Sequence, residues 1–410
     1  MHRVLLVTEN YPPDRGGMSE SCDRIVRGLT REGVAVEILH FDRRAARPEL
    51  RRAHLRWPLE HDAAHTINCA WNRARVAFDM DAVTHVVAFG GSLPLLAAPA
   101  FAAWIDRPLV TLLRGNELDA GLFDPRRRPI LDDALRRSAA VCTVTTEQAE
   151  KVAALHGIEP RVIANGIDFD LWQPTEGDRQ RSAGVLAGRT GAVPAPRLLG
   201  FFGHLKAKKA VPFFLDALRR AGDPFRLLLV GEIDDLNLET LDATHLPPVD
   251  RFELMPYYLA CDLVVIPSHY DGFPNVLIEA AALGKPLIAA RTGGMRDLLT
   301  DGENAFLFET GDEQGCVAAI ARAAGADDAT LARMGASAAR AARERCDARD
   351  EARRYVEVLE ACAAERRHSG ESRGGLGQPT PPAVPARRSD VEELAHVAAD
   401  RRFGLRQKRH

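Results

Sequence analysis

The chain has 410 residues, a formal charge of −3 and 27% charged residues, so it is too long for one ordinary core and two domains are expected. Its near-neutral balance excludes a global field directed at nucleic acid. Seven scattered cysteines without a Cys-x-x-Cys exclude a disulfide framework or a paired-cysteine zinc site and fit free, mostly buried thiols in a reducing cytoplasm.

The first residues, MHRVLLVTENYPP, are too few and too polar for a signal peptide, and Val4–Thr8 is predicted as a strand. The loop Glu9–Met18 leads into a predicted helix, Ser19–Arg31. Gly16-Gly17 at that helix start can offer backbone N–H groups to a phosphate or a sugar, although such a pair is often only a turn. Asn10 and Arg15 in the same loop are acceptor-side candidates. Further strands are predicted at Val34–His40, His85–Phe89, Leu109–Leu113 and Ala140–Val144, with helices at Leu93–Ile105, Ile130–Ser138 and Glu147–His156. The basic stretches Arg43–Arg56 and Arg126–Arg128 read as solvated surface, with contact to an acidic acceptor or an anionic membrane as the other reading. Leu93–Ile105, the longest apolar run, contains two prolines and falls short of the roughly 20 residues of a membrane span. Asp79-Met80-Asp81 precedes a strand instead of ending one, and His61 with His65 lacks a third ligand, so neither is read as a metal site. Arg114-Gly115-Asn116-Glu117 ends the strand Leu109–Leu113 at the edge where α/β sheets bind ligands. There Arg114 can neutralise a leaving phosphate and Glu117 can orient an acceptor; a surface ion pair is the alternative. Asn165–Asp168 reads as a structural turn after the strand Arg161–Ala164.

Gln173–Pro196 has no sustained apolar period and reads as a linker. A second strand series follows at Arg197–Gly203, Phe225–Val230, Leu263–Ile266, Leu287–Ala290 and Ala305–Phe308. Continuous apolar strands alternating with helices imply parallel sheets covered on both faces, here two doubly wound α/β domains whose ligands meet in a cleft between them. In the loop Gly203–Lys209, Lys206, Lys208 and Lys209 precede the predicted helix Phe213–Arg220, an arrangement that calls for an anion. His204 lies in the same loop. Asp271 and Glu279 are eight residues apart across Gly272-Phe273-Pro274-Asn275-Val276. Asn275 can cap the predicted helix Val276–Leu283 and leave Glu279 in its first turn. Glu279 can accept both hydroxyls of a ribose, Asp271 those of a hexose, and the N–H groups of Phe273–Leu277 can face a diphosphate. The last predicted helix is Arg349–Arg367. The Gly/Pro-rich segment after Ser369 is expected to be disordered, with a short helix at Asp390–Asp400 and a basic end.

The stretches PPDRGG, RGNE, NGID, GHLKAKK and above all DGFPNVLIEAAALGKPLIAARTGG together resemble the family-4 glycosyltransferases of the GT-B fold, over about residues 1–365. The resemblance implies retaining transfer of a hexosyl group from a UDP- or GDP-linked sugar to a sugar, lipid-linked or small-molecule acceptor. It implies no bound metal or other cofactor. It carries Glu279 to the ribose, Asp271 to the donor sugar, Lys209 to the diphosphate and the Gly16-Gly17 amides to the same phosphates. Departures from the family pattern are His204 for arginine, Ala210 for glycine, Arg114 for histidine, Asp297 for glutamate, and Gly231-Glu232 for Gly-x-Gly. The expected organisation is an acceptor-side domain 1–172, a linker 173–196, a donor domain 197–348, a crossover helix 349–367 packing on the first domain, and a basic tail 368–410. A cytoplasmic protein is expected, with the inner face of a membrane as a second location. A non-catalytic partner subunit and a sugar-nucleotide epimerase on the same fold are the alternatives.

Overall fold

The computed structural model describes residues 2–60, 62–187, 196–234, 236, 238 and 241–373. The chain packs as two units: Met1–Ile163 together with the helix that continues from Glu351, and Ala164–Asp350.

In the first unit eight strands form one sheet. They are β1 (Arg3–Thr8), β2 (Ala35–Asp42), β3 (Glu49–Arg51), β4 (His54–Pro58), β5 (His85–Phe89), β6 (Leu109–Leu113), β7 (Ala140–Thr143) and β8 (Arg161–Val162). Their order is β3-β4-β2-β1-β5-β6-β7-β8, and only β3 runs antiparallel to its neighbour. Because side chains alternate along a strand, Leu5 and Val7 join Trp71 and Phe101 on one face, while Val4 and Leu6 join Cys22, Ile25 and Leu29 on the other. That second face is closed by the C-terminal helix Ala348–Arg373. Its Tyr355, Val358, Leu359 and Cys362, spaced as one helical stripe, belong to the same core.

The basic stretch read as solvated surface instead holds β3 and β4. Leu55 is fully buried there, and Arg56 is neutralised by Asp42 and, at 3.0 Å, by Glu49. Charges paired along a sheet edge look in sequence like a solvated run. The helix Ala63–Ala77, which covers this end of the sheet, has a weak apolar stripe and was not among the predicted elements.

The second unit carries β9 (Arg197–Phe202), β10 (Phe225–Val230), β11 (Ala243–Leu246), β12 (Leu263–Ile266), β13 (Leu287–Ala290) and β14 (Ala305–Phe308). All are parallel, in the order β11-β10-β9-β12-β13-β14. From β9 the chain winds outward to one edge, then returns to β12 and winds to the other. The crevice beyond the carboxyl ends of β9 and β12 is therefore the topological switch point. The predicted linker is in fact partly a helix, Glu176–Ala187. Its start is fixed by a reciprocal cap: the Asp178 N–H donates to Thr175 Oγ1 at 3.1 Å, and the Thr175 N–H donates to Asp178 Oδ2 at 2.9 Å. The disorder expected over 368–410 is corrected at its start, since the C-terminal helix runs on to Arg373; the rest of that tail, the linker's end at 188–195 and the short helix at 390–400 lie outside the described residues.

Among the described residues no helix is long and apolar enough to cross a membrane. All seven cysteines are free thiols, six of them buried.

Candidate functional site

Two loops meet at the second unit's switch point. The loop after β9 makes a tight turn at Ala207–Lys209 and passes through Ala210 at φ 51°, a left-handed conformation that explains why glycine suits this position. The loop after β12 runs from Pro267 to Pro274. Their backbones are joined where the His269 N–H donates to the Lys208 carbonyl at 3.0 Å. Lys209 donates to Asp271 Oδ2, Lys208 Nζ lies 3.6 Å from Oδ1, and the Gly272 N–H donates to Oδ1 at 3.1 Å. Burial opposes charge on Asp271, but the two lysines outweigh it and hold the carboxyl below its ordinary value. Burial also lowers Lys208. The structure thus brings together residues 62 apart in sequence, Lys209 and Asp271, as an ion pair.

The backbone around Gly272-Phe273 is locked from below. The Gly294 N–H donates to the Gly272 carbonyl at 2.8 Å. A Cβ on Gly293, which has φ 49°, would stand 2.0 Å from the Asp271 carbonyl oxygen, and one on Gly294 would stand 2.7 Å from the Phe273 ring. Asn165, read as part of a structural turn, donates its side-chain amide to the Phe273 carbonyl at 2.5 Å. Phe273 is buried as a packing peg, whereas Pro274, Asn275 and Val276 are half-buried at the rim.

Two local expectations are corrected here. The helix spans Asn275–Ala282 with Pro274 at its cap position and no side-chain cap bond, so Asn275 is its first residue and not its cap. Proline's fixed extended backbone at 274 starts the helix one residue early. Glu279 is then the fifth residue, beyond the first turn. Its carboxylate is buried, accepting from the Tyr258 hydroxyl at 2.9 Å and pairing with Arg251 Nε at 3.2 Å. His204 is half exposed, with its ring nitrogens 3.1 Å from Asp234 and 3.5 Å from Glu232.

In the first unit, Gly16 at φ 116° precedes the helix Gly17–Arg31, again without a side-chain cap, and Arg15, Gly16 and Gly17 are exposed. The Asn10 N–H is tied to Thr8 Oγ1 at 2.9 Å. Glu9 accepts from the Leu93 N–H at 2.6 Å and so caps the helix Ser92–Trp104 across this sheet's switch point. Glu117 accepts from the Arg114 N–H at 3.2 Å and borders a cavity of about 120 Å³ with Ser92, Leu95, Arg127, Ile130 and Leu131. The expectation for Arg114 is corrected: its guanidinium does not face the open edge. It is buried, 2.5 Å from the Tyr355 hydroxyl and 3.4 Å from Glu351 Oε1, both on the C-terminal helix. The apolar stripe of that helix carries it over the end of β6 and encloses the arginine.

Sequence reasoning missed Tyr258, Arg251 and Trp172 around Glu279, because their spacing follows no local pattern. It also missed a cluster beside the Arg15–Gly17 loop, in which His40 is buried and Tyr11, Asp14 and His54 are half-buried. There His40 stacks on His54 with ring centres 5.6 Å apart, Tyr11 meets His54 edge-on at 4.9 Å, and Asp14 lies 3.3 Å from His40. Burial lowers both imidazoles to about 4.

Residues 15–171 match the family model described as Glycosyltransferase Family 4, and residues 196–325 match Glycosyl transferases group 1. The chain belongs to the family-4 type of GT-B glycosyltransferases. This family-4 chain is 29% identical over 238 residues to a D-inositol 3-phosphate glycosyltransferase of Xylanimonas cellulosilytica, a match covering 54% of the chain and 57% of that protein. It is 31% identical over 222 residues to the protein of that name from Geodermatophilus obscurus, covering 48% of each. The matched stretch spans about half the length of these curated relatives. In fold the chain is similar to Anabaena HepE, solved with UDP and glucose, at TM-score 0.68 and 19% identity over 88% of this chain and 100% of that one. It is also similar to sucrose-phosphate synthase from Thermosynechococcus elongatus, at TM-score 0.73 and 17% identity over 89% and 100%.

Proposed function

We propose that this family-4 chain transfers a hexosyl group from a UDP- or GDP-linked sugar to an acceptor hydroxyl, with retention of configuration and without a bound metal. The observation that carries the reading is the convergence of Lys208, Lys209 and Asp271 at the switch point, beside a helix start at Asn275 that has no side-chain cap. Cations beside a helix start without a side-chain cap suit a diphosphate. The complex of HepE with UDP and glucose, on the same fold, supports a nucleotide and a hexose as the donor's parts.

In this reading the donor diphosphate draws Lys209 away from Asp271 and rests on the amides of Asn275 and Val276. The released Asp271 carboxylate accepts hydroxyls of the hexose, and Glu279 accepts those of the ribose. The bond between the anomeric carbon and the diphosphate oxygen breaks, and its electron pair leaves with the diphosphate. Lys208, Lys209 and, from the same loop, His204 stabilise the charge that grows there. The acceptor oxygen bonds to the anomeric carbon on the face the diphosphate leaves, and its proton passes to that diphosphate. On the first unit, taken by itself, Glu117 offers a carboxylate to an acceptor at its cavity, and the Gly16 and Gly17 amides, Asn10 and Arg15 offer polar groups to a phosphate or a sugar. Arg114 is reassigned to holding the C-terminal helix.

Calorimetric titration with UDP, GDP and ADP tests this. At least one diphosphate binds the wild-type chain, and Glu279→Ala weakens it about ten- to a hundredfold, the loss of charge-assisted hydrogen bonds to a ribose. A wild-type chain that binds none of the three removes the donor reading and favours a non-catalytic partner.

A further inference from the structure

Glu279 has a relative exposure of only 3%, which is unusual for a carboxylate meant to meet a ligand. Its surroundings are built for it. Tyr258 lies on the short helix Met255–Ala260, is fully buried, and stacks on Phe202 at the end of β9 with ring centres 3.9 Å apart and planes 20° from parallel. That stack aims its hydroxyl at Glu279 Oε2, 2.9 Å away. Arg251 approaches Oε1 from the other side, its Nε at 3.2 Å and its guanidinium 5.5 Å above the Trp172 ring. The indole N–H of Trp172 in turn donates to the Glu279 backbone carbonyl at 3.1 Å. Side chain and backbone of one residue are thus gripped from three separate segments.

We propose that Tyr258 and Arg251 are positioning residues that orient the Glu279 carboxylate toward a ribose diol, so that this trio sets the preference for a ribonucleotide over a 2′-deoxyribonucleotide. The inference rests on the donor reading above and deepens it. A carboxylate offers about four lone-pair sites, enough to accept from Tyr258 and Arg251 and from two neighbouring hydroxyls. A carboxylate free to rotate about its last bond would spread those sites over many directions. One clamped at both oxygens presents them in one plane, and the diol then binds without an ordering cost. Burial, reinforced by the Glu279 charge, raises the Tyr258 hydroxyl well above its ordinary value, so it acts here only as a donor.

The test compares UDP with 2′-deoxy-UDP, and GDP with 2′-deoxy-GDP, by calorimetry on the wild-type chain and on Tyr258→Phe, which keeps the stack on Phe202. The wild-type chain should bind the ribo form about ten- to a hundredfold more tightly. Tyr258→Phe should shrink that ratio, because the ribo form offers two hydroxyls to the loosened carboxylate and the deoxy form only one, so the ribo form weakens more. A merely structural tyrosine would weaken both forms equally and keep the ratio, and that result overturns the proposal. Arg251→Lys, at a more exposed position, should move the ratio in the same direction and carries the test if a thermal melt shows Tyr258→Phe unfolded. Wild-type binding of a diphosphate with no ribose preference overturns this inference and leaves the donor reading standing. No binding of any diphosphate overturns both.

Discussion

Replacing Glu351 with alanine would remove a carboxylate that pairs with two buried arginines of the first unit. Glu351 accepts from Arg24 Nε at 2.7 Å, from Arg24 Nη2 at 3.2 Å and from Arg114 Nη2 at 3.4 Å. The side chains of Arg24, Glu351 and Arg114 are 6%, 2% and 2% exposed, so water cannot take over the lost role. Removing one partner of a buried ion pair costs about 3–5 kcal/mol. The Tyr355 hydroxyl, 2.5 Å from Arg114, and Ser21 Oγ, 3.4 Å from Arg24, are still in place after the change. The loss should therefore fall near the lower bound, about 3 kcal/mol. For a unit of this size that corresponds to a fall in Tm of about 6–12 °C. Urea unfolding followed by circular dichroism, with the midpoint shifted and the slope unchanged, measures it directly. Glu351→Gln should lose less, because the amide keeps an acceptor while discarding the charge. A loss below about 1 kcal/mol for Glu351→Ala, the range of a surface pair, would refute the reasoning. The same measurement bears on Arg114: Arg114→Lys should lower Tm, whereas an arginine acting on a leaving phosphate would lower kcat and leave Tm in place.

Gly294→Ala places a methyl group 2.7 Å from the Phe273 ring and 2.9 Å from its Cα, so the loop carrying Asp271 must shift; binding of UDP or GDP should weaken at least about tenfold, the worth of one charge-assisted hydrogen bond, and unchanged calorimetry would contradict the packing argument. Acidification should destabilise the first unit through His40 and His54. Burial lowers both from 6.5 to about 4, so between those values the unfolded chain takes up protons that the folded chain refuses. The stability they confer is complete above about pH 6.5 and is lost as the pH falls toward 4. A Tm that holds or rises over that interval, or a His40→Asn variant with the same pH dependence, would count against it.

How much could be read without coordinates varied with how local the signal was. Strands buried on both faces, such as Phe225–Val230, Leu263–Ile266, Leu287–Ala290 and Ala305–Phe308, announce themselves as short apolar runs, and their predicted limits coincide with the observed ones. The lysine loop and the Asp271 loop were legible for the same reason, since each directly follows such a strand. Elements held by charge were not. Arg56 looks solvated until Asp42 and Glu49 are placed beside it, and the helix Glu176–Ala187 shows only its Thr175–Asp178 cap.

From composition and order alone, then, came two parallel α/β units, the loops at their carboxyl edges and the charged residues those loops carry. Tertiary structure alone decided how far each of those side chains is enclosed and which partners enclose it. Arg114 and Glu279 are both charged and both follow or flank a buried strand, yet each is enclosed by partners drawn from distant segments: Glu351 and Tyr355 for one, Tyr258 and Arg251 for the other. A buried charge is tolerable only where the fold delivers its counter-charge, and that delivery depends on contacts between segments far apart in the chain.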